Sequence, residues 1–318
     1  MTLSPDIFSE SIYCRIMNSY PLFCLTLSLL LWCHIPVAFA GAELGSKEKP
    51  LKISLVPGQD AGILQSEGEV LARFLEKETG LHFKVYVPFN FITVVETLGS
   101  SRTDIAMINS FGYLIAHKRY GAEVALIGTF NGRAEYWGQF ITAKPEIKTL
   151  KDIQGKKIAY VDPASTSGYI LPSNLLHKMK VIPKEFIFAG KHDTVVTSVY
   201  TGQVDVGATF HSQIEKGEPQ DARRLVKTQF PDVFTKVRII EIIGPIPSDP
   251  VIFRKDLPAP IRKKVTAAFL KFAKSVDGPK TLKALYNITG FQKVTDKDYN
   301  SLRKMIQDSG KTPEDFFK

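Results

Sequence analysis

Three hydroxyl side chains in a row, Ser165-Thr166-Ser167, follow Asp162-Pro163-Ala164 and precede Gly168. They stand where an apolar run, Lys157 to Val161, reads as a buried strand and Tyr169 to Met179 reads as a helix. The first backbone N–H groups of a helix lack an internal partner. The aligned peptide dipoles also make that end locally positive. Amides and hydroxyls converging there make a pocket for an oxyanion. An ordinary N-cap uses one such residue, so three in succession exceed what capping asks.

His192 opens another helix at a second strand end, after Ala189-Gly190-Lys191. A ring nitrogen there can donate to an oxyanion; a capping or surface histidine is the plainer alternative. Asp249 lies between Pro247 and Pro250. An acceptor-only carboxylate beside an anion makes sense if the ligand carries a proton, because it then selects a monoprotonated oxyanion; turn chemistry is the alternative. Phe111 and Tyr113 follow Asn109-Ser110 at a third strand end, where an aromatic ring walls the pocket or packs in the core. Gln59, Asp60, Thr209 and His211 are weaker candidates of the same kind.

These residues need strand ends to hold them. Leu51–Val56, Leu81–Val87, Asp104–Ile108 and Val124–Phe130 read as strands, with helices over Ile63–Thr79, Asn90–Leu98 and Ser110–Tyr120 between them. A second unit starts near Leu150. Its strands are expected at Lys157–Val161, Glu185–Phe188, Asp205–Thr209 and Arg238–Ile243, and its helices at Tyr169–Met179, Asp193–Tyr200 and His211–Lys216. Tyr136–Thr142 reads as an extended crossing, Gly244–Pro250 ends the unit, and Val251–Arg254 returns as a strand. Helices at Pro258–Val276, Pro279–Tyr286 and Asp296–Asp308 close the chain. This alternation predicts an α/β fold of two mostly parallel sheets joined by two crossings. One lobe is expected to hold 51–138 and 249–318, the other 139–248. Ligands of such sheets bind at the carboxyl ends of the strands.

The chain has 318 residues, 44% hydrophobic and 23% charged, as a soluble globular protein does. Leu22–Trp32 is apolar and ends before Ala38-Phe39-Ala40, so 1–40 is expected to be a cleaved signal peptide and 41–50 a linker. Arg15 is the sole basic residue before the apolar run, and Met17 is a second possible start. All three cysteines, Cys14, Cys24 and Cys33, fall in that leader, which leaves the mature chain without a disulfide or a thiol nucleophile. The net charge of +9 becomes +10 when one basic and two acidic leader residues are removed. This balance favours anionic ligands. The basic residues are scattered rather than interleaved with aromatics, which argues against nucleic acid. The six histidines show no paired metal-ligand spacing, and glycine-rich phosphate loops and a G-x-S-x-G elbow are absent. No cofactor is expected, and hydrogen-bonding roles are preferred to catalysis.

Asp162 to Pro172 resembles the D-P-x-S-T-S-G-x-x-x-P signature of the phosphonate, phosphite and phosphate-binding subunits of ABC transporters. His192-Asp193-Thr194-Val195-Val196 followed by Gly202 to Ala208, and Pro247 to Pro250 with Arg254 and Leu257-Pro258, are similar to the same family in order and spacing. The resemblance implies a type II periplasmic-binding-protein fold. It implies that Ser165, Thr166, Ser167 and His192 hold a phosphorus oxyanion and that Asp249 accepts from its protonated oxygen, with Phe111 or Tyr113 as a wall. It implies a periplasmic monomer serving an inner-membrane ABC permease. Family members that take aminoalkylphosphonates carry a Glu near Ala208–Gln213, where this chain has none before Glu215. Phosphite, phosphate or a small alkylphosphonate is therefore expected. The alternatives are another oxyanion or a sulfonate, a sensory module for a membrane signalling partner, and an enzyme of the same fold.

Overall fold

A computed structural model describes residues 42–308. The expected signal peptide, 1–40, lies outside the described residues. The chain first alternates through β1 (Leu51–Leu55), α1 (Ala61–Thr79), β2 (Phe83–Tyr86), α2 (Phe91–Gly99), β3 (Ile105–Met107), α3 (Ser110–Tyr120) and β4 (Glu123–Thr129). Local chemistry sets these boundaries. The Asp60 side chain accepts from the Ile63 amide at 2.9 Å and starts α1. Gly80, at φ 69°, ends it. Leu64, Leu71 and Leu75 bury one face of α1 beneath the sheet.

At the first crossing Phe130 and Arg133 exchange backbone hydrogen bonds at 2.8 and 3.1 Å. The two residues between them, Asn131 and Gly132, have φ of 51° and 80°. Positive φ at both central positions is what a type I′ turn demands. The chain then runs through β5 (Glu135–Thr142), β6 (Lys157–Tyr160), α4 (Leu171–Lys178), β7 (Glu185–Phe188), α5 (His192–Tyr200), β8 (Val206–His211), α6 (Val233–Lys236) and β9 (Arg238–Pro247). After Ser248-Asp249 it returns through β10 (Pro250–Phe253), α7 (Ala259–Phe272), α8 (Gly278–Tyr286), β11 (Gly290–Lys293) and α9 (Asn300–Gln307).

Two sheets result, ordered β11-β4-β10-β3-β1-β2 and β7-β6-β8-β5-β9. In the first, β2, β1 and β3 run parallel, while β10 lies antiparallel between β3 and β4. In the second, β7, β6 and β8 run parallel, while β5 lies antiparallel between β8 and β9. The inserted antiparallel strand of each sheet is the one that has just crossed over. One buried cluster contains Val56, Ile108 and Ile252 from the first half and Ile141, Val161 and Val195 from the second. Helix α9 touches α3 on one side and α4 and β9 on the other.

Three expectations on elements need correction. Tyr136–Thr142 is not a free crossing but the inner strand β5, paired on both edges. His211–Lys216 is not a helix. Pairing of His211 with Trp137 carries β8 through that residue, and a turn at Lys216 and Gly217, both at positive φ, follows. Strand β11, which the sequence reading passed over, pairs with β4 through Gly290–Lys293.

Candidate functional site

Asp162 Oδ1 accepts from the Ala164 amide at 2.8 Å and fixes the loop after β6. Ser165 then caps the helix start, its Oγ accepting from the Gly168 amide at 3.2 Å. The first turn, Thr166–Ile170, is a wide π turn that passes directly into α4. The amides of Thr166 and Ser167 lie in this turn, where a helix offers no acceptor. Gly168 is required here: a Cβ on it would lie 2.4 Å from Val161 Cγ2.

Thr166 Oγ1 accepts from the Phe111 amide at 3.0 Å and from Asn109 Nδ2 at 3.1 Å. A hydroxyl has two lone pairs and one hydrogen, so Thr166 has only its hydrogen left to give. Asn109 Nδ2 also donates to Ala164 O at 2.7 Å. These bonds join the end of β3 to the end of β6.

The His192 amide donates to Gly58 O at 3.1 Å, a third tie between the two halves. Its Nδ1 lies 2.6 Å from Thr209 Oγ1 and 3.4 Å from the Phe210 amide. An amide can only donate, so Nδ1 accepts, the Thr209 hydroxyl donates, and Nε2 carries the proton. Burial pushes the imidazole down to about 3, so it is neutral near pH 7. His192 thus offers an uncharged N–H.

Asp249 sits at the second crossing. Burial pushes its carboxyl up to about 7, against the opposing pull of the Ser110 amide and hydroxyl and the Tyr136 hydroxyl. The Ser110 hydroxyl lies 3.4 Å from Asp249 Oδ1 and donates to Pro247 O at 2.5 Å. Tyr136, from β5, brings its phenol among Ser167, Thr166 and Ser110; burial, then the Asp249 charge, raise it well above its ordinary range.

Ser165, Thr166, Ser167, His192 and Asp249 all line one cavity of about 90 Å³. About 10–15 Å³ of such space holds one water. Its other walls include the residues that follow β1, β3 and β8, as the strand-end rule for open sheets requires. At the part of the cavity lined by Ser165–Ser167, His192 and Asp249, neutral donors and one carboxyl poised to hold or release a proton suit a small oxyanion. Among the described residues, no group of three or more His, Cys, Asp or Glu is placed to hold a metal ion.

A family model described as the ABC transporter phosphonate periplasmic substrate-binding protein matches residues 53–299. The chain belongs to this family.

This chain is 28% identical over 182 residues to the phosphate-import protein PhnD of Mycolicibacterium smegmatis, a match covering 52% of this chain and 56% of that protein. The chain therefore spans little more than half the length of that relative. A binding component of an ABC phosphonate transporter from Pseudomonas aeruginosa superposes with a TM-score of 0.72 at 20% identity, over 82% of this chain and 87% of that one. PhnD1 of Prochlorococcus marinus, solved with methylphosphonate, gives 0.68 at 18% identity, over 82% and 98%. These likenesses show the two-lobed type II periplasmic-binding-protein fold.

The proposed aromatic wall needs correction. Phe111 is fully buried in the core, and it is its backbone amide that reaches the site, through Thr166. Tyr113 is also fully buried; it donates to Asp296 Oδ1 at 2.6 Å and packs on Tyr299 with centroids 4.8 Å apart. Helix α3 is buried from Ser110 to Ala116, so Phe111 and Tyr113 have no free face. The cavity is walled by Tyr136, Phe91 and Tyr286 instead. Gln59 lines it too, but its amide is committed to Ala284 O and Leu285 O, both at 2.5 Å. Thr209 serves through His192, and His211 pairs with Gln139 at 2.9 Å. Sequence reasoning missed Tyr136 and Arg224 as lining residues. Tyr136 was visible as an aromatic at the first crossing; nothing local marked Arg224.

Proposed function

We propose that this chain is an exported carrier of an ABC importer that captures a small phosphorus oxyanion and passes it to an inner-membrane permease. Residues 51–138 with 249–318 form one lobe and 139–248 the other, and removal of 1–40 releases a monomer to the periplasm. Ser165, Thr166, Ser167 and His192 donate to the anion. Asp249 shares one proton with it. Near neutral pH the carboxyl is half protonated, so it either accepts from a P–OH or donates to a P–O⁻.

The observation that supports this reading most is the meeting of the three hydroxyls, His192 and Asp249 around one cavity. Hydrogen bonds to a charged group contribute about 1.5–3 kcal/mol each. Four of them, less the cost of closing the lobes, give micromolar affinity, about −8 kcal/mol. Bonds between the lobes, among them those at Thr166, Asn109 and His192, support a closed form of a hinge motion about the two crossings. The chain acts as a carrier and leaves its ligand chemically unchanged. A thermal-shift panel of phosphite, phosphate, methylphosphonate, 2-aminoethylphosphonate and sulfate tests it. Stabilisation by a phosphorus oxyanion and none by sulfate is the expected result; no stabilisation by any of the phosphorus compounds refutes it.

A further inference from the structure

The cavity holds polar groups that a bare oxyanion leaves unused. Among the described residues, the buried side-chain atoms without a hydrogen-bond partner are Asn109 Oδ1, both amide atoms of Asn174, Arg224 Nε and Asn287 Oδ1. Three of those four residues line this one cavity. Buried polar atoms are nearly always satisfied, and each exception calls for a cause. Asn109 belongs to the loop beside Thr166. Arg224 and Asn287 come from elsewhere, one from the short helix Ala222–Val226 and the other from the C-cap of α8.

The charges around Arg224 do not match it. Asp221 gives one oxygen to Arg223 Nε at 2.8 Å and the other to a terminal nitrogen of the same guanidinium at 2.9 Å. Glu215 is paired with Lys283. The carboxylates whose charge reaches Arg224 are therefore already neutralised. Among the described residues, its guanidinium donates one hydrogen bond, to Lys283 O at 3.5 Å, the outer limit of such a bond. A half-buried cation whose neighbouring carboxylates are paired with other cations is poorly satisfied. Asn287 is 5% exposed and donates from Nδ2 to Gln220 O at 3.1 Å, which fixes its amide and leaves Oδ1 unpaired. The cavity of about 90 Å³ extends from Ser165–Ser167 to Arg224 and Asn287, which line it as well.

We propose that Arg224 and Asn287 form a second subsite that takes an anionic, oxygen-bearing group at the far end of the ligand's organic substituent, so that the preferred ligands are phosphonocarboxylates. This rests on the oxyanion reading above. Arg224 supplies the charge and its Nε hydrogen to the carboxylate, and Asn287 Oδ1 accepts from a hydroxyl on the substituent or from a water held beside it. A ligand ending in an ammonium group meets the like charge of Arg224 there, with Glu135 elsewhere on the cavity wall.

The test is calorimetric titration of phosphonoacetate and methylphosphonate into the full mature protein, Arg224→Gln and Asn287→Gly. Asn287 has φ 55°, which glycine adopts freely, so the second variant removes the side chain and keeps the turn. Wild type is expected to prefer phosphonoacetate by about tenfold or more. Arg224→Gln collapses that ratio towards unity, and Asn287→Gly reduces it several-fold. Equal wild-type affinities overturn the proposal, as does an Arg224→Gln variant that weakens both ligands by one common factor. Wild type that binds methylphosphonate alone keeps the oxyanion reading and removes the second subsite. Wild type that binds neither ligand removes both.

Discussion

The hydroxyl of Thr209 donates to Nδ1 of His192 at 2.6 Å, and this bond decides what the histidine can offer its ligand. With Nδ1 occupied as an acceptor and the ring held neutral by burial, the only hydrogen is on Nε2. Thr209→Val keeps the shape and removes the donor. Ligand affinity is expected to fall about five- to tenfold, near 1 kcal/mol. Calorimetry measures it, and Thr209→Ser restores most of the loss. Equal affinity in Thr209→Val contradicts the assignment of the tautomer.

Thr166 works on both lobes. It accepts from Phe111 and Asn109 on one and, on the proposed reading, gives its hydrogen to the anion from the other. Thr166→Ala removes the acceptor shared by the Phe111 amide and Asn109 Nδ2 and is expected to cost about 1–3 kcal/mol of ligand affinity. It also shifts the ligand-free protein towards an open form, seen as a larger radius of gyration in small-angle scattering. Thr166→Ser keeps the oxygen and reverses both effects.

Asp249 and His192 pull stability in opposite directions with pH. Asp249 in the folded chain holds its proton up to about 7, whereas unfolded it releases it near 3.8. Its contribution therefore falls as pH rises through that window. Unfolded His192 takes a proton below 6.5, whereas folded it stays neutral down to about 3, so its contribution falls as pH drops. Between about pH 4 and 6.5 the two slopes oppose and largely cancel. His192→Gln is expected to expose a fall in stability with rising pH, at most about 1.4 kcal/mol per pH unit. Asp249→Asn exposes the reverse slope. Urea unfolding of the ligand-free variants across that range reads both; two profiles parallel to wild type refute the assignment.

On the proposed reading the same carboxyl controls affinity. Above about pH 7 Asp249 is ionised and a dianionic ligand meets a charge with no proton between them. Affinity for methylphosphonate is expected to fall as pH rises from 7. In Asp249→Asn the fall is shallower, because the amide N–H₂ replaces the acid hydrogen as donor. Titrations on either side of pH 7 distinguish the two.

Tyr113 is a structural residue. Tyr113→Phe removes the bond to Asp296 and is expected to lower stability by about 1 kcal/mol. Ligand affinity stays within twofold, about 0.4 kcal/mol. A large loss of affinity with stability intact would return Tyr113 to the site.

Much of the fold was legible because strands such as β1 and β6 are short apolar runs bounded by turn residues, with helices capped by Asp60, Gly80 and Gly121 between them. The hydroxyl run Ser165 to Ser167 was legible for a local reason too: strand, cap and helix adjoin in sequence. Phe111 and Tyr113 misled because they follow a strand end but turn inward, and only packing against Tyr299 and Val56 decides that. Tyr136 and Arg224 reach the cavity through pairing between segments distant in sequence. No local pattern encodes a contact of that kind.

Titration of methylphosphonate into wild type and into the double variant Ser165→Ala with Thr166→Ala tests the central claim most directly. Wild type is expected to bind at micromolar or tighter affinity, about −8 kcal/mol, and the double variant to show no measurable heat. Wild type without binding, or a double variant with wild-type affinity, contradicts the account.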